Sequence, residues 1–119
     1  MKALLIAAIL GLAPCIVTAQ EAETALGVEL RVLDKLNGTV QDIEFLNRET
    51  KQFNQLKITV AECRYPRLNP SGDAFANLTI TYRENADPIF QGWLIASAPA
   101  LNAMEHPRYD VWVLRCIRS

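Results

Sequence analysis

The sequence predicts a mainly β protein, a small antiparallel β-sandwich or barrel of about six or seven strands with one short helix before the last strand. Two observations lead to this fold class. Several segments alternate apolar and polar residues with the period of two that a half-buried strand requires, and short turns rich in Asn, Gly and Pro separate them. Residues 76–82 are the clearest case, because Ala76, Leu78, Ile80 and Tyr82 alternate with polar side chains.

The first two strands are predicted to form a hairpin. Residues 28–32 alternate apolar with charged side chains, and Asn37-Gly38 follows them. Asn-Gly is the strongest short signal for a hairpin turn, because both residues tolerate a positive φ. We therefore expect Thr39 to Leu46 to be the returning strand.

The third strand contains a conflict of parity. Residues 56–60 alternate and lead to Cys63, which has the parity of polar Lys57 and Thr59 rather than that of apolar Ile58 and Val60. Two explanations are open. Either the strand bulges after Val60, or Cys63 lies on the less buried face of the sheet.

The rest of the chain is predicted as loop, strand, helix and strand. Residues 65–73 contain two prolines and a glycine and indicate a loop. Residues 89–96 form a nearly continuous apolar run, which predicts a strand buried on both faces. A short helix is predicted over residues 99–105, with Ser97 as its cap and Pro107 as its stop. Residues 109–116, rich in valine and aromatic residues, complete the fold as its last strand.

The N-terminus has the pattern of a secretory signal peptide. Lys2 precedes an uncharged apolar segment, and Val17-Thr18-Ala19 is a small-residue cleavage site. We therefore predict a cleaved signal over residues 1–19 and a periplasmic location. A lipoprotein anchor at Cys15 is the alternative, but Pro14 stands where such a motif needs a small residue.

Beyond the signal, residues 20–27 are predicted to be a flexible leader and residues 28–119 a single β domain. The chain of 119 residues has a formal net charge of −1, and its arginines are scattered. Nucleic-acid binding needs a concentrated positive face, so that class of protein is set aside. No second apolar segment is long enough for a membrane span.

Cys63 and Cys116 remain after signal cleavage. An even pair of cysteines in an exported chain indicates a disulfide. A thiolate nucleophile at either position, with His106 as base, would require the pair to stay reduced.

Two further kinds of site can be weighed against the sequence. Ser97, His106 and Asp110 are the residue types of a nucleophilic triad, but no nucleophile-elbow motif surrounds Ser97. A metal site would need three or four converging ligands at characteristic spacing, and His106 is the single histidine. We therefore predict no catalytic residues, no metal and no cofactor.

Five side chains are predicted as a possible binding surface: Tyr65, Trp93, His106, Tyr109 and Trp112. Trp93 and Trp112 lie in apolar strand segments, which favours the core for both. Tyr65, in the proline-rich loop, is the better candidate for an exposed contact. The alternative is an aromatic pocket for a small ligand, lined by Trp93, Tyr109 and Trp112.

Four blocks of the sequence resemble a known family: Leu33 to Gly38, Leu56 to Cys63, Phe90 to Leu101 and Glu105 to Cys116. Together they look like the family called domain of unknown function 2155, found in Gram-negative bacteria. Asn54 stands where the family pattern has glycine, and Ala98 where it has serine. The resemblance implies an exported, periplasmic protein. It implies no activity and no catalytic residues.

The function that these observations favour is a non-enzymatic interaction or structural module of the cell envelope, with an envelope protein as partner. A periplasmic protein that binds a small ligand in an aromatic pocket is the second hypothesis. An envelope hydrolase that uses His106 is the third.

Overall fold

The computed structural model describes residues 21–118. The predicted signal peptide and Cys15 lie outside this range. The described chain contains eight strands: β1 (Ala22–Thr24), β2 (Gly27–Asp34), β3 (Thr39–Leu46), β4 (Thr50–Phe53), β5 (Leu56–Pro66), β6 (Phe75–Tyr82), β7 (Phe90–Ile95) and β8 (Tyr109–Ile117).

The strands form two antiparallel sheets. The five-stranded sheet has the order β1-β5-β6-β7, and β4 pairs with the other half of the β5 edge that carries β1. The three-stranded sheet has the order β3-β2-β8. Side chains of both sheets meet in one core, so the sandwich class is confirmed.

The core follows from the alternation of the strands. In β2 the buried set is Val28, Leu30, Val32 and Asp34, and the residues between them are only partly buried. In β6 the alternating buried residues are Ala76, Leu78 and Ile80. Because alternate side chains of a strand point to opposite faces, each sheet presents one apolar face to the other.

Two β-bulges turn the cysteines into the core. In β5 the register shifts between Val60 and Glu62, and in β8 it shifts opposite Glu29 and Leu30. Each bulge adds one residue and so reverses the direction of the side chains that follow. Cys63 and Cys116 form a disulfide between the two sheets, with Cα atoms 5.7 Å apart. The first of the two explanations for the parity of Cys63 is therefore correct.

The hairpin between β2 and β3 is confirmed, with a loop of residues 35–38. Gly38 has φ of +74° and its N–H donates to the Asp34 carbonyl at 2.8 Å. The side chain of Asn37 accepts a hydrogen bond from the Thr39 N–H at 3.0 Å. Positive φ is needed only at Gly38, so the asparagine contributes its side-chain acceptor instead.

The predicted helix over residues 99–105 is wrong; residues 99–102 form turns and residues 103–105 have no regular secondary structure. Ser97 does not cap a helix, because its hydroxyl and its N–H both donate to the Asp73 carboxylate, at 2.5 Å and 2.9 Å. Asn102 donates from its side-chain amide to the Trp93 carbonyl at 2.8 Å. These contacts fasten the segment along β7, and the sequence does not reveal them because their partners are distant in the chain.

Three further expectations need correction. The leader predicted over residues 20–27 is not loose where the structure describes it, because β1 pairs with β5 and Ala25 donates its N–H to the Cys63 carbonyl at 2.7 Å. Residues 21–118 contain eight strands rather than six or seven, and the sequence did not predict β1 and β4 because they are too short to show a periodic pattern. The strand over residues 89–96 is not buried on both faces, since Leu94 is its one buried residue in β7.

Among residues 21–118 no helix is long and apolar enough to cross a membrane.

Candidate functional site

The five residues predicted as a binding surface lie in four separate places. Tyr109 is fully buried in the core and His106 lies against it, with ring centroids 5.5 Å apart. Tyr65 lies at the other end of β8, where Arg118 sits over its ring and its hydroxyl donates to Glu23 at 3.1 Å. The five residues therefore do not form one surface.

The two tryptophans point away from the core. Trp93 alternates with buried Leu94 in β7 and faces outward from the five-stranded sheet. Trp112 alternates with buried Val111 and Val113, is 36% exposed, and faces outward from the three-stranded sheet. The prediction that both are core residues is wrong. The aromatic pocket of Trp93, Tyr109 and Trp112 is not formed, because the rings lie on opposite outer faces and in the core between them.

His106 closes the turn that leads into β8. Its Nδ1 accepts hydrogen bonds from the N–H groups of Arg108 at 3.0 Å and Tyr109 at 3.3 Å. Its ring lies 4.6 Å from that of Tyr82. Burial lowers the pKa of His106, and the positive charges of Lys35, Arg108 and Arg83 lower it further. His106 is therefore held neutral, with its proton on Nε2.

The candidate catalytic groups are not brought together. Ser97 binds Asp73, and the Nδ1 atom that Asp110 would orient in a triad is used by backbone N–H groups. Asp110 instead lies 3.6 Å from the Lys35 ammonium. The cysteines form a disulfide, so neither is the free thiol that a nucleophile requires. Within residues 21–118 no group of three or more His, Cys, Asp or Glu side chains is placed to hold a metal ion.

A buried ion pair at this end of the sandwich was missed by the sequence analysis. The Arg108 guanidinium binds the Asp34 carboxylate through two hydrogen bonds, Nε to Oδ1 at 3.0 Å and Nη2 to Oδ2 at 2.8 Å. The Leu36 N–H and the Asn54 amide also donate to this carboxylate, at 3.0 Å and 3.1 Å. The side chain of Asp34 is fully buried. The sequence did contain a signal for the buried carboxylate, because Asp34 lies two positions after Val32 and therefore points to the same inward face of β2.

Asn54 explains one departure from the family pattern. It has φ of +51°, a left-handed conformation that glycine adopts without steric cost and that asparagine tolerates better than most residues. Glycine at this position would keep the turn between β4 and β5. Asparagine adds the hydrogen bond to Asp34, so the departure ties this turn to the ion pair.

A pair of tyrosines yields a first testable prediction. The Tyr109 hydroxyl is buried and has no hydrogen-bond partner among the described residues, whereas the Tyr82 hydroxyl donates to the Gln55 side chain at 3.1 Å. Since an unpaired buried polar group costs about 1–3 kcal/mol, Tyr109→Phe should leave the free energy of unfolding unchanged or raise it. Tyr82→Phe should lower it by about 1 kcal/mol. Urea denaturation of both variants measures the difference, and a clear loss in Tyr109→Phe would contradict the unpaired state of its hydroxyl.

The lowered pKa of His106 yields a second prediction. An unfolded histidine has a pKa of about 6.5, so as the pH falls through this value the unfolded chain binds a proton that the folded chain does not. The free energy of unfolding should therefore fall from pH 7.5 toward about pH 5.5. His106→Asn keeps an acceptor for the two N–H groups but does not titrate. Because His106 is the single histidine, stability curves of the variant should be flatter over this range, and equal slopes would refute the role of His106.

The outer face of the five-stranded sheet carries a shallow groove, which we call the Trp93 groove. It has a volume of about 270 Å³. It is lined by Ala22, Arg64, Phe75, Trp93 and Ile95.

The register of the strands brings these side chains together. Arg64 of β5 pairs with Phe75 of β6, and Phe75 pairs with Ile95 of β7. The same face of β6 continues with Asn77, which pairs with Trp93. Cross-strand partners on one face of a sheet touch, so three apolar side chains and one guanidinium form a continuous patch where a solvent-facing sheet is ordinarily polar.

The fold and these surfaces define a disulfide-closed antiparallel β-sandwich domain with an apolar groove on one outer face. The family model of uncharacterised proteins conserved in bacteria, domain of unknown function 2155, matches residues 28–116. The chain belongs to this family.

An uncharacterised protein of Rickettsia prowazekii (strain Madrid E) is 34% identical over 88 residues, which are 71% of this chain and 56% of the relative. The chain thus spans little more than half the length of this curated relative. No solved structure matches the chain.

Proposed function

We propose that the protein is exported to the periplasm and acts there as a non-enzymatic interaction module of the cell envelope. The observation that carries this proposal is the Trp93 groove. Phe75, Trp93 and Ile95, each partly exposed, place apolar surface on the solvent side of a sheet whose other face already fills the core. Contiguous exposed apolar patches with a polar rim are typical of protein-binding surfaces.

The export part of the proposal is supported by two features. Residues 1–19 have the anatomy of a cleaved signal peptide. Disulfides such as Cys63–Cys116 form and persist in oxidising compartments.

The export proposal is tested by intact mass and a thiol count on protein taken from the periplasmic fraction. The expected mass is that of residues 20–119, lighter by the two thiol hydrogens, with no free thiol. A full-length chain in the cytoplasmic fraction, or two free thiols, would contradict it.

The interaction proposal is tested by photo-crosslinking in the native bacterium. A photo-reactive amino acid at Asn77 lies beside Trp93 on the outer face of the five-stranded sheet. The matched control is Glu44, an exposed residue of β3 whose side chain lies on the outer face of the three-stranded sheet. We expect a discrete crosslinked protein from Asn77 and none from Glu44.

A second variant makes the crosslinking result specific. Trp93→Ala, combined with the probe at Asn77, should abolish the crosslink while the protein level stays unchanged. Equal crosslinks from Asn77 and Glu44, or a crosslink from Asn77 that persists in Trp93→Ala, would refute the groove as the site of interaction.

A further inference from the structure

We propose that the Trp93 groove binds the carboxyl terminus of a partner polypeptide whose last residue is large and apolar, with Arg64 holding the terminal carboxylate. This inference rests on the proposed function and deepens it by naming the chemistry of the partner. Phe75, Trp93 and Ile95 would take the last side chain.

The hydrogen-bonding capacity of Arg64 is largely unused. Its Nε has no hydrogen-bond partner within the described chain but is buried, so an incoming carboxylate would meet the two terminal nitrogens. Of these, Nη2 lies 3.5 Å from the Ala22 carbonyl, at the outer limit of a hydrogen bond. The side chain is 43% exposed, so the tip of the guanidinium reaches solvent. A planar guanidinium binds a carboxylate through two parallel hydrogen bonds, and no such partner is in place among residues 21–118.

The acidic residues around the groove are already engaged, with one exception. Arg67 binds Glu21 at 2.8 Å and lies 3.5 Å from Glu23. Glu62 is the exception, because its Oε1 accepts only a long hydrogen bond from the Thr24 hydroxyl, at 3.5 Å, and lies 3.9 Å from Arg64 Nε without a hydrogen bond between them. Glu62 is therefore the group against which an incoming carboxylate would compete.

The dimensions of the groove favour a chain terminus over a longer ligand. Its volume of about 270 Å³ is below the range of roughly 300–1,000 Å³ typical of drug-sized ligands. Arg64 and Phe75 are cross-strand partners, so the cationic and apolar parts of the site adjoin. A C-terminal residue carries a carboxylate and a side chain on one Cα atom and can fill both parts. An internal acidic residue needs a second residue to supply the apolar group.

The test uses two arrays of synthetic peptides that differ only at the terminus. Each array presents every combination of the last two residues after a Gly-Ser linker, one with a free carboxylate and the other amidated. The probe is the labelled, oxidised domain. We expect binding to free-acid peptides that end in Leu, Ile, Val or Phe. Affinity for the amidated forms should be lower by roughly 10- to 100-fold, because a charge-assisted bidentate contact is lost.

Three variants and one control separate the parts of the site. Arg64→Gln should remove the preference for the free acid, and Trp93→Ala should remove binding altogether. Glu62→Gln should strengthen binding of the free acid, because it removes the competing carboxylate. Trp112→Ala, on the opposite outer face, is the control and should bind as the unaltered domain does.

Each contrary result overturns the inference. Equal binding of free and amidated peptides would remove the role of the terminal carboxylate. Binding of peptides through an internal acidic residue would show that the groove does not recognise a carboxyl terminus. If decanoate displaced the bound peptides at a lower concentration than any competing free peptide required, the groove would be a fatty-acid site instead.

The crosslinking and peptide-array experiments together separate a failure of this inference from a failure of the proposed function. A crosslink from Asn77 without any array binding would keep the groove as an interaction surface and refute the terminus as its occupant. Failure of both experiments would refute the proposed function itself.

Discussion

Replacing Cys63 and Cys116 together by alanine is expected to lower the free energy of unfolding by about 4 kcal/mol. The disulfide joins residues that are 53 positions apart, so its removal frees a long loop in the unfolded chain. Small domains have net stabilities of roughly 5–15 kcal/mol. The disulfide can therefore supply a large share of the total, and the midpoint of thermal unfolding should fall by roughly 15 °C or more.

Because the bond joins the two sheets, its loss should destabilise the whole domain rather than one segment. The disulfide is a covalent cross-link between the two sheets, in addition to the backbone connections between their strands. The two bulges turn the cysteine side chains inward. Without the disulfide, both strands keep this local distortion but lose the bond that it allows. Thermal unfolding followed by circular dichroism measures the effect on the double variant.

Two controls identify the disulfide as the cause. The unaltered protein in the presence of a reductant should unfold at nearly the temperature of the double variant. Cys63→Ala alone should lose as much as the double variant, since either substitution removes the bond. A double variant within 1 kcal/mol of the unaltered protein would show that packing between the sheets suffices.

The positions of the longer strands along the chain and most of the core could be predicted because they depend on local alternation. Val28, Leu30 and Val32 are buried, as their parity requires. The bulge before Cys63 could be identified as one of two explanations, because the cysteine broke the parity of its own strand. Cys116 breaks the parity of Val111 and Val113 in the same way, and the same reasoning would have found the second bulge.

The parts that could not be predicted depend on distant partners. Ser97 has the local features of a helix cap, but Asp73 takes its hydrogen bonds across 24 positions of sequence. Trp93 lies in an apolar segment that resembles a buried strand, but only one face of β7 packs into the core, so the side chains of its other face lie toward solvent. The groove exists because three strands place apolar residues in one register, and sequence periodicity does not reveal register between strands.

Replacing the fully buried Asp34 by asparagine is expected to lower the free energy of unfolding more than replacing the exposed acidic residues of this domain. The change leaves the Arg108 guanidinium, whose side chain is 28% exposed, beside a neutral group. Breaking a buried pair is far more costly than removing an exposed one, because the remaining charge is left without compensation. The variant also weakens the acceptor used by Asn54, so the turn between β4 and β5 loosens with it.

The chain offers a closely matched control for this experiment. Arg31 binds Asp42 through two hydrogen bonds of 2.8 Å and 3.0 Å, almost the geometry of the Arg108–Asp34 pair. The difference is exposure, since the Asp42 side chain is 36% exposed and that of Asp34 is not exposed at all. Asp42→Asn should therefore change stability little.

A double-mutant cycle isolates the interaction itself. Asp34→Asn combined with Arg108→Gln should lose little more than either single variant, because the first substitution already breaks the pair. Asp42→Asn combined with Arg31→Gln should show nearly additive small effects. Equal and small losses in both cycles would show that burial of Asp34 does not matter to stability.

The acid dependence of Asp34→Asn follows from the same contacts. The hydrogen bonds from Arg108 hold the pKa of Asp34 below its ordinary value, although burial opposes them. An unfolded aspartate has a pKa of about 3.9, so above this value the carboxylate contributes its full stabilisation. That contribution is lost only as the pH falls through the lower pKa of the folded state. The stability difference between the unaltered protein and Asp34→Asn should therefore be constant from neutral pH to about pH 5 and shrink only in stronger acid. A difference that shrinks between pH 7 and pH 5 would show that the carboxylate is not held by Arg108 in the folded protein.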